Sequence, residues 1–214
     1  MVGVLTFSAS ILVPFGSIPQ AHAATPPPDL NQPVQSNPSV STGNLDSALI
    51  LEADPFISLQ GHKYVIVNKQ GLLNLVGNQN YTSVLDMVSR SNANISESTA
   101  PLYTNANEKA LTTVNESTGK FTALASSSNG ITKVQYYWWG LRFWLSKSLV
   151  KNLLSLSTGL AVVLLTAETG VGAALAGVVC IWLMDNYISP KVARALIIDQ
   201  NMLLGGVITS VRFQ

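Results

Sequence analysis

Two side chains beyond the first segment of this 214-residue chain could do acid–base or nucleophilic chemistry: His62 and Cys180. Neither has the company such chemistry needs. Cys180 is the sole cysteine and lies in the apolar run Gly177-Val178-Val179-Cys180-Ile181-Trp182, with no histidine near it in sequence. Apolar surroundings raise a thiol pKa and leave the group inert, and a single cysteine forms no intrachain disulfide. His62 stands at the edge of a strand-like run, and the Cys/His spacing of a zinc site is missing. The G-x-S-x-G, H-E-x-x-H, phosphate-loop and EF-hand patterns are absent. The 11 carboxylates are scattered, and no spacing picks out a glycosidase pair. The expectation is a protein that is not an enzyme and holds no cofactor and no metal.

The chemistry that is concentrated is that of contact. Tyr136-Tyr137-Trp138-Trp139-Gly140-Leu141-Arg142-Phe143-Trp144 holds three of the 4 tryptophans within seven positions, at the entrance to the most apolar part of the chain. Such rings are apolar bodies with an N–H or O–H that seeks water, which suits a membrane–water boundary. The same residues favour strands and fill the space between a sheet and its helices. Candidate membrane or partner contacts are Tyr136, Tyr137, Trp138, Trp139, Arg142 and Trp144, with the nearby cations Lys147 and Lys151.

Charge supports an anionic partner. Residues 24–129 carry five cations against eight acids, a net −3, whereas residues 130–214 carry seven cations against three acids, a net +4. A basic, apolar half is drawn to anionic lipid or cell-wall polymer. A dense Lys/Arg stripe of the kind that binds nucleic acid is missing; a protein partner remains open.

The elements that must position these residues follow from composition and period. Residues 1–23 read as a signal peptide: Val2–Pro14 is apolar or small, and Ala21-His22-Ala23 offers a small-residue cleavage site, though no Lys or Arg precedes Lys63. Residues 24–53, rich in Pro, Ser and Asn, read as a disordered linker. Residues 54–98 read as a small β-plus-helix module, with a strand at His62–Asn68 and helices near 71–76 and 81–91, the second capped by Asn80. Residues 99–129 read as a polar linker ending at Ser126–Gly130.

The C-terminal module, 130–214, is expected to be α+β. Alternation makes Ile131–Trp139 a strand, with Val134, Tyr136 and Trp138 on one side and Lys133, Gln135, Tyr137 and Trp139 on the other. Gly140 marks a bend, and Leu141–Leu145 continues extended. Ser146 can cap a helix in which Leu149, Leu153, Leu156, Leu160 and Val163 line one face. Two helices, 146–166 and 169–186, form an apolar hairpin. Glu168 falls at the break, where the second helix's N-terminal dipole favours it. Strands at 195–199 and 206–213 complete a small sheet packed on the hairpin.

Lys133 to Ser146 resembles a block found in functionally uncharacterised secreted proteins of Gram-positive bacteria (Firmicutes). So do Asp54-Pro55-Phe56-Ile57-Ser58-Leu59 and the C-terminal Gly205-Gly206-Val207-Ile208-Thr209-Ser210-Val211-Arg212-Phe213-Gln214. The resemblance implies secretion and assigns no activity. By analogy alone, the Gly/Ala-rich apolar helices are similar to those of small membrane-active bacteriocins. The functional expectation is a secreted, non-enzymatic protein that contacts membrane or envelope, bacteriocin-like in the sharpest form. The alternative is a soluble secreted interaction module that binds a protein or glycan through aromatic residues.

Overall fold

The computed structural model describes residues 47–113, 129–187, 190–203 and 206–214. The expected signal peptide and the linker as far as residue 46 lie outside them, as do residues 126–128 of the expected boundary at Ser126–Gly130. The described residues form five α-helices and eight strands, an α+β fold whose larger sheet is C-terminal.

The chain enters through α1 (Ser47–Ala53), which lies inside the stretch expected to be disordered and buries Leu49 and Ala53. Strands β1 (Ile57–Gln60) and β2 (Lys63–Ile66) form a hairpin, turned at Gly61, whose φ of +59° suits glycine. Helix α2 (Lys69–Glu97) starts at Asn68, whose side chain accepts a hydrogen bond from the Gly71 amide. The two helices expected here are segments of α2, separated by a kink at Gly77 (φ 76°, ψ 168°). The observed cap is therefore Asn68, twelve residues before the expected Asn80.

The stretch expected to be polar linker supplies two strands, β3 (Leu102–Asn105) and β4 (Ala110–Thr113). Their short polar side chains hid a buried ladder: Ala110, Leu111, Thr112 and Thr113 are all inaccessible or nearly so. With β5 (Lys133–Tyr137), β6 (Gly140–Leu145), β7 (Leu196–Asn201) and β8 (Val207–Phe213) they make a six-stranded antiparallel sheet in chain order. Between β6 and β7 the chain runs through α3 (Lys147–Leu154), α4 (Thr158–Thr169) and α5 (Ala173–Asn186).

Three expectations in this part are corrected. The aromatic block is two strands joined by the turn Trp138-Trp139, with Tyr137 paired to Gly140. The expected helix 146–166 is broken at Ser155–Ser157, where serines offer the backbone alternative hydrogen bonds and a new helix begins. Glu168 lies in the last turn of α4, exposed to solvent, because the helix runs on to Gly170, whose φ of +70° ends it. The Ser146 cap is as expected: its Oγ accepts from the Leu149 amide at 3.3 Å.

One face of the sheet meets the core. Val134, Tyr136, Leu141, Phe143, Leu145, Leu196 and Ile198 are at most 1% exposed and join α2, α3, α4 and α5 in one continuous cluster. The N-terminal elements belong to that cluster, and Tyr64 of β2 places its hydroxyl 2.7 Å from the Tyr136 carbonyl.

Candidate functional site

The expected contact residues fall into three places, and only some of them meet. Tyr136 and Trp138 point into the core and are each 1% exposed. They are removed as surface contacts, because the period-2 rule sends them to the buried side. Tyr137, Trp139, Arg142 and Trp144 come together on the opposite face, all half-buried. Lys147 and Lys151 are exposed on α3.

The outer face is built by register. Strand pairing sets Gln135, Arg142, Asp199 and Ser210 in one cross-strand row, and Lys133, Trp144, Ile197 and Arg212 in the next. Tyr137 stacks on Trp139 with ring centroids 5.0 Å apart and 12° between planes. The Arg142 guanidinium lies 5.5 Å from the Tyr137 ring and 5.7 Å from the Trp144 ring. Lys133 Nζ sits 4.1 Å from the centroid of the Trp144 ring. Rings and cations thus alternate along the face, each cation held by the negative ring surface beneath it.

Acids fix the ends of this array. Asp199, 6% exposed, accepts from Arg142 Nε at 2.5 Å and Nη2 at 3.1 Å, and from Arg212 Nη1 at 2.8 Å. On the other side Glu108 accepts from Gln135 Nε2 at 2.5 Å and Asn105 Nδ2 at 2.9 Å, while Tyr137 donates to Gln135 Oε1 at 3.1 Å. Burial, aided by Arg142 and opposed by Glu108, holds the Lys133 ammonium below the usual lysine range. Burial likewise raises the Tyr137 phenol. Sequence reading missed Asp199, Glu108 and Gln135. The available signal was a lone aspartate inside an apolar strand, which calls for a cationic partner.

A second feature lies on the helices. Leu149 and Leu153 are buried as expected, but Leu156, Leu160 and Val163 are 36%, 58% and 66% exposed. The break at 155–157 turns α4 so that Ala161, Leu165 and Thr169 face inward instead. Outward, Leu160, Val163 and Ala167 form a stripe, and α5 adds Ile181, 53% exposed. Between Lys151 and Glu168 the sequence carries no charge. Among the described residues no helix is long and apolar enough to cross a membrane.

Cys180 is buried, and burial pushes its thiol up to about 11. A hollow of about 530 Å³ beside His62 is lined by Lys63, Asn92, Ala93, Ile95 and Ser96, with no carboxylate among those residues. Among the described residues no group of three or more His, Cys, Asp or Glu side chains is placed to hold a metal ion. No family model matches the chain, and neither a curated protein nor a solved structure does.

Proposed function

We propose that this is a secreted, non-enzymatic protein that contacts an anionic membrane or envelope surface with the outer side of its α4–α5 hairpin. The observation that carries the reading is the exposure of Leu160 and Val163 on α4 and of Ile181 on α5, with Leu156 exposed in the break before α4; the charged side chains of these two helices, Glu168 and Asp185, are confined to their last turns. An exposed apolar patch marks a contact site. At 12 and 14 residues the helices are about 18 and 21 Å long, short of the ~30 Å hydrocarbon core, so they lie in the interface rather than cross it. Each large side chain gains at most about 1.5–3 kcal/mol on full burial, and each lysine near an anionic surface adds about 1 kcal/mol. Such sums give reversible binding assisted by Lys147 and Lys151. Flotation of the chain with anionic and with neutral vesicles tests this. Binding to anionic vesicles that is lost in the L160E/V163E variant, with its melting temperature retained, is the expected result. A wild-type chain that stays with the unbound fraction overturns it.

A second reading, an interaction module for a protein or glycan, is favoured by the outer sheet face, where Tyr137, Trp139 and Trp144 present ring surface beside two cations. Co-sedimentation with insoluble cell-wall polymer that drops in W139A and W144A supports it. Equal sedimentation of all three proteins removes those rings from the contact.

A further inference from the structure

We infer that the groove at the β3–β4 corner of the outer face is a binding site for a neutral saccharide. The inference rests on the second reading above in taking this face as a binding surface, and it names a different set of residues and a ligand class. Tyr103, Asn105, Asn107, Thr112, Lys133 and Gln135 line an open groove of about 330 Å³. That volume lies at the lower end of the ~300–1,000 Å³ range of small-ligand sites.

The lining chemistry selects the ligand. Tyr103 is 50% exposed, an aromatic surface on which the apolar face of a pyranose ring can rest. The exposed Asn107 amide has no hydrogen-bond partner among the described residues and offers two donors and an acceptor. Glu108 beside the groove spends one oxygen, Oε2, on Asn105 and Gln135, and its other oxygen is an acceptor suited to a hydroxyl pair. The Glu108 carboxylate and the Lys133 ammonium lie close enough to act on each other and largely offset, so the groove presents no net charge to select an anion or a cation. What remains is an uncharged molecule dense in hydroxyls with one apolar face. The internal bonds matter as much as the open ones. Gln135 is held by Glu108, by Thr112 at 3.2 Å and by Tyr137, so the floor of the groove is fixed before a ligand arrives. A fixed floor lowers the ordering cost of binding.

The test is a titration of the ¹⁵N-labelled chain with chitotetraose and, separately, cellotetraose, read by amide shifts. The expected result is saturable shifts confined to residues 103–112 and 133–135 with a Kd on the order of 1 mM. Y103A and N107A alter exposed side chains without internal bonds, so both fold, and each should weaken binding by about tenfold. Absence of saturable shifts with both sugars overturns the site. Binding that persists in Y103A and N107A but falls in W139A also overturns it, while leaving the aromatic-face reading standing. Loss of wall-polymer sedimentation in W139A with the tetrasaccharide shifts intact would separate the two in the other direction.

Discussion

Trp138 donates its indole N–H to Asp54 Oδ1 at 3.0 Å, joining the turn of the β5–β6 hairpin to the start of the N-terminal elements. Asp54 also accepts from Lys109 Nζ at 2.7 Å through its other oxygen. Two stretches 84 residues apart, the Asp54-Pro55 opening and the tryptophan pair, are thus one structural unit. The turn needs this support. Neither Trp138 nor Trp139 has a positive φ, so the turn is not one of the primed types that match strand twist. It is held from outside, by Asp54 and by the Met202 amide, which donates to the Trp139 carbonyl at 3.0 Å.

Replacing Trp138 by alanine should therefore cost about 3–5 kcal/mol, the range for emptying a buried aromatic site. Trp138→Phe keeps most of the volume and loses the donor, at about 1–2 kcal/mol. Asp54→Asn retains the acceptor and loses only a half-exposed ion pair, so it should cost less than Asp54→Ala, by up to about 1 kcal/mol. Urea unfolding of the four variants orders them. A W138A protein as stable as wild type would show that the turn is not anchored here.

Gly140 follows the turn, and its requirement is spatial. A Cβ at this position would lie 2.0 Å from the Gln200 carbonyl oxygen of β7. The obstacle is backbone in a paired strand and cannot swing away, so Gly140→Ala must part β6 from β7. A loss of at least about 1–3 kcal/mol is expected, the usual cost of overpacking. Circular dichroism melts give the measure, and Gly159→Ala, where a Cβ meets nothing within 4 Å, is the matched control.

Asp199 sits between two arginines with its side chain 9% exposed, whereas Arg142 and Arg212 are 27% and 42% exposed. Removing the acid leaves Arg142 against the Tyr137 and Trp144 rings without its countercharge. Asp199→Ala should cost about 1–3 kcal/mol, less than a fully buried pair because water reaches both guanidiniums. Arg212→Ala should cost under about 1 kcal/mol. A double-mutant cycle on Arg142 and Asp199 reads the coupling directly. A coupling energy of zero would mean the outer face is not organised by this pair.

The sheet's inner face was legible because alternation is a backbone property: Val134 and Tyr136 are buried and Lys133 and Tyr137 are not, while Gln135 on the outer side is covered by its neighbours instead of exposed. Trp138 kept its side even though it lies in a turn. The hairpin itself was not legible, since Trp138-Trp139 carries none of the Gly, Asn or Asp that mark a two-residue loop. The stripe from Leu149 to Val163 misled for a related reason. Helical periodicity continues across Ser155–Ser157, but the helix does not, and the outer half of the stripe faces solvent. Strands β3 and β4 were hidden by composition, because Thr112 and Thr113 read as surface residues while the register sets β4 between β3 and β5, where both are buried. The contact array on the outer face depended on that same register, which no local pattern reveals.

Alkali should destabilise the protein, and the groups responsible can be separated. Burial pushes the Cys180 thiol up from 9.0 to about 11, and it raises the phenols of Tyr64, Tyr136, Tyr137 and Tyr187 as well. Below about pH 9 folded and unfolded chains both carry the neutral thiol, so it contributes no pH dependence. Between about pH 9 and 11 the unfolded chain releases the proton while the folded one keeps it, and stability falls as pH rises. Tyrosines extend the fall from pH 10 upward, where their unfolded forms ionise. The unfolding midpoint in urea should hold steady from pH 7 to 8.5 and then decline. Cys180→Ser should lessen the decline between about pH 9 and 11, most visibly below pH 10 where the tyrosines do not yet contribute, and leave that above pH 11 in place. In the folded protein at pH 8 the thiol should react with a disulfide reagent only at the rate of unfolding. A thiol that reacts at the rate of a free cysteine would place it outside the core.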